Sequence, residues 1–207
     1  MIVRMLPLSG VIGFTAVGLV WRAWLQYRRF GQAGIMLFQS GRPAQHMRDA
    51  LAVLLPVLVF AQAIAYAINP ARLAPLALLP FPTGGAWLTL GAVLVFGGTV
   101  LMVAAQLQLG ASWRVGIEEG ARSGLVTDGL YRFSRNPIFL AMFVVFVGLT
   151  VWLPTWPSAL LTVGTVFGVR AQVLDEERYL QRAYGDAYRS YTRRVGRFVP
   201  RLGRVDA

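Results

Sequence analysis

The sequence predicts an all-α, polytopic membrane protein with five transmembrane helices, a C-terminal helical hairpin and an amphipathic cytoplasmic tail. Of the 207 residues, 56% are hydrophobic and only 14% are charged, whereas charged residues make up about 25% of an ordinary soluble domain. Five apolar segments have lengths that suit a hydrocarbon layer about 30 Å thick. At this length and composition one compact unit is expected, so we predict a single membrane domain over residues 1–207.

The charge of the chain points to lipid rather than nucleic acid. The net charge is +11, but the basic side chains are all arginine and they flank the apolar segments, so anionic headgroups are the expected partner. There is no cysteine and a single histidine, His46. We therefore predict neither a disulfide nor a metal site.

The first predicted span covers residues 6–27. A cleaved signal peptide is the alternative, but the apolar run is too long and lacks a convincing cleavage site. Arg22 is expected to extend past Trp21 and Trp24 toward the headgroups. The connection that follows holds four arginines against Asp49 alone, which marks the cytoplasmic side.

The second predicted span covers residues 50–68. Pro56 lies inside it and is expected to kink the helix or to mark a packed face. Gln62 is expected to face protein rather than lipid. Residues 69–86, which are rich in proline, are expected to form an irregular outer loop on the membrane surface.

The third predicted span covers residues 87–107. Gly91, Gly97 and Gly98 allow helices to approach closely, which is how membrane helices commonly pack.

The last two spans, residues 137–153 and 156–174, form a tight hairpin of short helices. Trp152 and Trp156 are expected in the outer aromatic belt. The tail from residue 176 to 204 carries tyrosines and arginines at helical spacing, which favours a helix along the inner leaflet. We expect a bacterial inner-membrane protein with its N-terminus outside and its C-terminus in the cytoplasm.

Three polar motifs interrupt this apolar half of the chain. Residues 125–139 read Leu-Val-Thr-Asp-Gly-Leu-Tyr-Arg-Phe-Ser-Arg-Asn-Pro-Ile-Phe, residues 175–177 read Asp-Glu-Glu, and residues 185–191 read Gly-Asp-Ala-Tyr-Arg-Ser-Tyr. Their order and spacing resemble the signature of the isoprenylcysteine carboxyl methyltransferase and phospholipid methyltransferase superfamily. The resemblance covers about the last 85 residues. It departs where Asn136 replaces histidine and Phe139 replaces tyrosine.

The resemblance implies an integral membrane enzyme that uses S-adenosylmethionine and binds it within residues 110–207. The matching positions that would contact the cofactor are Ser123, Gly124, Leu125, Val126, Tyr131, Asn136, Pro137, Ile138, Phe139 and Glu176. Asn136 can donate and accept hydrogen bonds as a neutral histidine does, but it cannot titrate.

The chemistry of these residues suits the parts of such a cofactor. Glu176 can accept hydrogen bonds from an ammonium group or from ribose hydroxyls, although a carboxylate is disfavoured if the helix ends there. The helix that begins at Pro137 presents N–H groups to a carboxylate. Tyr131 and Phe139 could flank an adenine.

Simpler interpretations of these side chains stay open. Tyr131 and Phe139 could be interfacial aromatics, and Arg132 and Arg135 could be headgroup charges. Glu177 could pair with Arg170 or Arg182 on the helix surface.

Gln172 bears on the methyl acceptor. In the prenylcysteine enzymes that the chain resembles, an arginine one turn before the glutamate faces the acceptor carboxylate. Here that position is Gln172, and the nearest arginine, Arg170, points about 200° away from it. We therefore expect a lipophilic or amphiphilic acceptor other than a prenylcysteine carboxylate.

Two other functions stay open. Membrane sterol or enone reductases, which use NADPH, resemble this family in their C-terminal half but often carry Asn-Tyr where this chain has Ile138-Phe139. A non-catalytic membrane scaffold is the second. A soluble nucleotide-binding methyltransferase is not supported, because no Gly-x-Gly-x-x-Gly turn follows a strand pattern.

Overall fold

The computed structural model describes residues 2–35, 37–38, 43–113, 124–200 and 202–203. The α-helices of this part of the chain are α1 (Ile2–Thr15), α2 (Arg22–Phe30), α3 (Pro43–Ile68), α4 (Gly85–Leu109), α5 (Pro137–Trp152) and α6 (Trp156–Arg194). The predicted all-α class is confirmed.

Within the described residues, four helical stretches are long and apolar enough to cross a membrane. They are Val3–Phe30, Gln45–Ile68, Gly85–Ser112 and Trp156–Arg194. The fifth apolar helix, α5, has only 16 residues, which corresponds to about 24 Å at the helical rise. Each of the five predicted spans coincides with a helix, and the polytopic membrane fold is confirmed.

The first long helix contains a π-helical turn at Ala16–Trp21, which joins α1 to α2. A π turn interrupts the regular hydrogen bonding of an α-helix, and the sequence pattern gave no sign of it. Nε2 of the buried Gln106 on α4 donates to the carbonyl of Gly18 at 2.9 Å. This side chain thus provides a hydrogen-bond donor within the irregular turn and fastens it to α4.

The expectation that Arg22 reaches the headgroups is wrong, because its side chain is buried at 1% exposure. Its Nη2 donates to the carbonyls of Gln106 at 3.3 Å and Gly110 at 2.9 Å. The guanidinium also lies 4.4 Å from the ring centroid of Trp113. The last carbonyls of a helix lack helical partners and carry partial negative charge. Arg22 satisfies those of α4, so its charge is needed inside the fold.

Gln62 faces protein, as expected. It is 7% exposed and accepts hydrogen bonds from Thr155 Oγ1 at 2.6 Å and Ser158 Oγ at 3.2 Å. These bonds tie the middle of α3 to the start of α6. A polar side chain inside a membrane bundle is stable only with such partners.

The connection after α3 is more ordered than the sequence suggested. It forms a 3-10 helix at Pro70–Leu76, and Leu73 within it is buried. The backbone N–H of Leu78 donates to the carbonyl of Pro154 at 2.8 Å. Part of the expected irregular surface loop is therefore a helical turn packed on the α5–α6 hairpin.

Helices α4 and α5 pack closely because small residues face each other. A Cβ added to Gly98 would lie 2.8 Å from Val145 Cγ2 and 3.1 Å from the carbonyl oxygen of Ala141. A Cβ added to Gly148 would lie 2.8 Å from Leu94 Cβ. Close backbone contact of this kind holds membrane helices together where the hydrophobic effect cannot.

The two tryptophans at the hairpin differ from expectation. Trp156 is 60% exposed, as a belt residue would be. Trp152 is buried at 1% exposure and its Nε1 donates to the carbonyl of Leu88 at 3.0 Å. Trp152 therefore belongs to the α4–α5 contact rather than to an aromatic belt.

We expect Gly98→Ala to lower the thermal unfolding temperature of the purified protein in detergent. The added methyl group meets backbone atoms of α5 that cannot turn aside, and overpacking of this kind costs about 1–3 kcal/mol. The matched control is Gly97→Ala, because a Cβ at Gly97 meets nothing within 4 Å. Equal unfolding temperatures for the two variants would show that α4 and α5 are not packed as described.

Helix α6 runs far beyond the predicted end of the last span at residue 174. It has 39 residues, with one non-helical position at Gly185 (φ 53°, ψ −123°). That left-handed φ suits glycine and turns the last part of α6 out of line. The continuing helix removes the concern that Glu176 lies at a helix C-terminus, and it shows that the predicted short second hairpin helix is wrong.

Candidate functional site

The candidate site lies at the arginine-rich end of the helices, where the segment before α5 meets α6. A 3-10 turn at Gly129–Arg132 precedes α5. Gln108, near the end of α4, fixes this turn because its Oε1 accepts from the N–H of Leu130 at 2.7 Å. This 3-10 turn places the side chain of Tyr131 in the interior, at 6% exposure.

Tyr131 is held from two sides. Its hydroxyl donates to the carbonyl of Ala105 at 3.4 Å, and its own carbonyl accepts from the hydroxyl of Tyr191 at 2.6 Å. Burial, reinforced by the negative charge of Glu176 and by Tyr191, raises the pKa of the Tyr131 phenol above its ordinary value. Tyr131 is therefore packed inside the fold at 6% exposure, which does not fit the alternative of an interfacial aromatic.

Three consecutive acids lie in the middle of α6, and we call them the acidic triplet: Asp175, Glu176 and Glu177. Successive side chains of a helix point about 100° apart, so each acid has a different neighbourhood. Asp175 pairs with Arg48 of α3 at 2.6 Å and with Arg178 at 3.0 Å.

Glu177 is bound by two arginines from other parts of the chain. Nε and Nη2 of Arg197 donate to its two oxygens at 3.0 and 2.7 Å, which is the bidentate geometry of a strong ion pair. Arg135 Nη1 lies 3.1 Å from Glu177 Oε1. The alternative pairing of Glu177 with Arg170 or Arg182 is not seen among these described residues, whose ion pairs join Glu177 to Arg135 and Arg197 instead. Arg170 lies two turns earlier on nearly the same face of α6, and Arg182 points about 140° away.

The alternative interpretation of Arg135 as a headgroup charge does not fit the structure either. It is 7% exposed, and its Nη2 donates to the carbonyl of Gly203 at 2.7 Å. A buried arginine with a carboxylate partner is part of the fold and not a headgroup charge. Arg132, in contrast, is exposed, as a surface charge would be.

Glu176 lies between the two bound acids and is half-buried. Its carboxylate is close enough to act electrostatically on Tyr131, so the structure brings together two of the predicted cofactor residues. Gln172 is also half-buried and lies one turn earlier on α6. The two side chains therefore share a face of the continuous helix, as the spacing predicts.

The start of α5 leaves its N–H groups uncapped by the preceding side chain. Asn136 occupies the N-cap position but makes no side-chain cap hydrogen bond. Its Nδ2 donates instead to the carbonyl of Arg197 at 3.1 Å. The first-turn N–H groups of Ile138 and Phe139 therefore donate no hydrogen bond to the side chain of Asn136, although an N-cap side chain normally accepts one.

A C-terminal segment, Val195 to Gly203, completes this end of the molecule. The N–H of Arg135 donates to the carbonyl of Gly196 at 3.0 Å, and Ser134 and Gly196 form a parallel bridge. Residue 201 of this segment lies outside the described residues. The segment holds the peptide that carries Asn136 in place.

Four further predicted site residues, 123–126, come shortly before the 3-10 turn in the sequence. Leu125 packs on the buried cluster of Tyr188, Tyr191 and Val195. Gly124 is exposed and Val126 is half-buried. Ser123 lies outside the described residues.

Sequence reasoning missed three arginines of this region: Arg48, Arg135 and Arg197. Arg135 immediately precedes Asn136 in the family signature, and its place in that motif could have indicated a specific role. Arg48 and Arg197 are far from their acids in sequence, and an arginine near a span is usually a topology signal. Their roles depend on tertiary contacts that no local pattern encodes.

Comparison with protein families agrees with the position of this site. Residues 86–187 match the model of a family described as phospholipid methyltransferase. The match begins with α4 and includes the 3-10 turn, α5 and the acidic triplet.

Two curated proteins are each similar to about half of the chain. Protein-S-isoprenylcysteine O-methyltransferase of Schizosaccharomyces pombe is 30% identical over 106 residues, which are 50% of this chain and 45% of that protein. Protein-S-isoprenylcysteine O-methyltransferase A of Arabidopsis thaliana is 30% identical over 115 residues, which are 53% of this chain and 57% of that protein. The chain thus matches about half the length of these curated relatives.

Proposed function

We propose that this chain, which matches the phospholipid methyltransferase model over residues 86–187 and is similar to two protein-S-isoprenylcysteine O-methyltransferases, transfers a methyl group from S-adenosylmethionine to a lipophilic acceptor. The reaction is an in-line displacement at an activated methyl group. The residues of the chain hold the two reactants in line and exclude water. When bound, the cofactor would supply an activated methyl group on its sulfur.

The observation that carries this proposal is the position of Glu176 on α6. Its side chain is half-buried, acts electrostatically on Tyr131 and shares a helix face with Gln172. A carboxylate in that position suits a cationic ammonium group or ribose hydroxyls. The hydrogen bonds it would accept are charge-assisted and therefore strong.

The start of α5 suits the carboxylate of the same cofactor. The N–H groups of Ile138 and Phe139 receive no cap from Asn136, and a helix N-terminus favours negative charge. Phe139 and Tyr131 provide aromatic surface near the adenine in this proposal. Asn136 orients the segment through Arg197, a role that needs no titratable group.

The acceptor is proposed to reach the site from the bilayer, between the spans. The names of the curated relatives mention isoprenylcysteine, whose carboxylate would need a cationic partner. Gln172, half-buried on the same face as Glu176, is neutral. Burial of a carboxylate beside an amide leaves the charge unpaired and is costly. A neutral, amine-bearing or thiol-bearing amphiphile therefore fits this position better.

The test is a titration of the purified protein in detergent with labelled S-adenosylmethionine and, separately, with NADPH. We expect saturable binding of S-adenosylmethionine and none of NADPH. Binding of NADPH alone would favour a membrane reductase, and binding of neither would favour a scaffold.

We further propose that the arginine-rich end faces the cytoplasm, because positively charged connections are retained there. We expect a reporter that is active only in the cytoplasm to be active when fused after Ala207 in a bacterial host. The same fusion to a reporter that is active only in the periplasm is the control. Activity of the periplasmic reporter alone would show that the orientation is inverted.

A further inference from the structure

A chain of hydrogen bonds connects the segment before α3 to the acidic triplet. Asp49 accepts from the N–H of Phe38 at 2.7 Å and from Gln45 Nε2 at 2.8 Å. Gln45 Oε1 accepts from Arg48 Nε at 3.1 Å and Nη2 at 2.6 Å. Arg48 Nη2 also donates to Asp175 Oδ2 at 2.6 Å. We call this set of side chains the α3 relay.

The inner part of the α3 relay is buried. Asp49 is 3% exposed and Gln45 is 4% exposed, whereas the side chains of Arg48 and Asp175 are 21% and 24% exposed. Buried polar groups with their hydrogen bonds satisfied form a rigid arrangement. The hydrogen bonds that Arg48 donates to Gln45 therefore hold its side chain in one orientation, with Nη2 directed at Asp175.

We infer that Arg48 is a positioning residue for Glu176, an inference that rests on the proposed function. Asp175 and Glu177 lie about 200° apart around α6, and each is bound to a different part of the chain. Two anchors on different sides of a helix prevent it from turning about its axis. They fix the direction of Glu176, which lies between them.

Arg48 lies outside the residues that match the family model, which begin at residue 86. The N-terminal half of the chain thus acts on the cofactor site through α3. A change in that half would alter cofactor affinity without touching the cofactor.

The test compares Arg48→Ala with the unmodified protein by two measurements. The first is the dissociation constant of S-adenosylmethionine, which we expect to rise about tenfold because small displacements at a binding site have large effects. The second is a distance between spin labels on cysteines introduced at the exposed Phe133 and Arg182. The chain has no cysteine of its own, so only these sites are labelled. We expect the distance distribution to broaden or shift.

The matched control is Arg178→Ala, which removes the other arginine bound to Asp175. Arg178 is exposed and lies on α6 itself, so its loss cannot free the helix from α3. We expect the dissociation constant to stay within about twofold of the unmodified protein. The label distance should stay within the width of the original distribution. Arg48→Lys and the exchange Arg48→Asp with Asp175→Arg should restore much of the affinity, which a general loss of stability would not allow.

The outcomes separate the two proposals. If the unmodified protein binds no S-adenosylmethionine, the proposed function fails, and the positioning of α6 by Arg48 is decided by the label distances alone. If it binds and Arg48→Ala changes neither the affinity nor the distance, the positioning role is overturned. A lower unfolding temperature for Arg48→Ala with unchanged affinity overturns it as well, because Arg48 would then act only on stability.

Discussion

Substitution of Glu176 by glutamine is expected to weaken the binding of S-adenosylmethionine at least tenfold while the protein stays folded. The amide keeps the size of the side chain but removes the charge. A hydrogen bond to a charged group contributes about 1.5–3 kcal/mol, and about 1.4 kcal/mol corresponds to a factor of ten. Equilibrium binding of the labelled cofactor in detergent measures the change.

Two controls separate a loss of binding from a loss of structure. Asp186→Asn makes the same chemical change on α6 at a side chain that is 97% exposed, and it should leave affinity and stability unchanged. Glu177→Gln should lower the unfolding temperature, because Arg135 would stay buried without its carboxylate. Near-normal affinity in Glu176→Gln would exclude Glu176 from the cofactor site.

The unmodified protein is expected to transfer little or no methyl group to farnesylcysteine analogues. Gln172 cannot neutralise a carboxylate, and an unpaired carboxylate near lipid is costly to bury. Some transfer is expected to uncharged, amine-bearing or thiol-bearing amphiphiles. The measurement is incorporation of labelled methyl groups into a panel of acceptors that share one lipid chain and differ in the head group.

Gln172→Arg should shift the preference toward the carboxylate acceptors of that panel, by about tenfold or more if the pair forms in a partly buried site. Gln181→Arg is the matched control, since it places the same charge farther along α6. Efficient methylation of farnesylcysteine by the unmodified protein would contradict this account. Another arginine would then bind the acceptor, and Arg170 would be the first to substitute.

The helices could be predicted because the information is local. An apolar run of suitable length specifies a membrane helix wherever it occurs, and the buried Gln62 followed from its polar side chain in such a run. The candidate site was predicted from three spaced motifs whose order matters more than any one residue. Glu176 and Tyr131 were named on that basis, and the structure places them close together.

The roles of the arginines could not be predicted, because an arginine next to a span looks the same in sequence whether it faces water or protein. Arg22 caps the end of α4, and Arg135 is bound inside the fold by Glu177. Both depend on partners more than 40 residues away along the chain. The extension of α6 to Arg194 was missed for a related reason, since the tail was interpreted by its charge rather than by its helical continuity.

The three acids of the acidic triplet have different neighbours, and this restricts which insertions α6 can accept. Insertion of one codon between the start of α6 and Asp175 would turn the helix by about 100°, so each acid would take the direction of its successor. Asp175 would then face Tyr131, and Glu176 would face Arg135 and Arg197. Exchanges among apolar residues in this stretch leave those directions alone. Natural variants of α6 should therefore exchange apolar residues for one another between residues 156 and 171 while keeping its length constant.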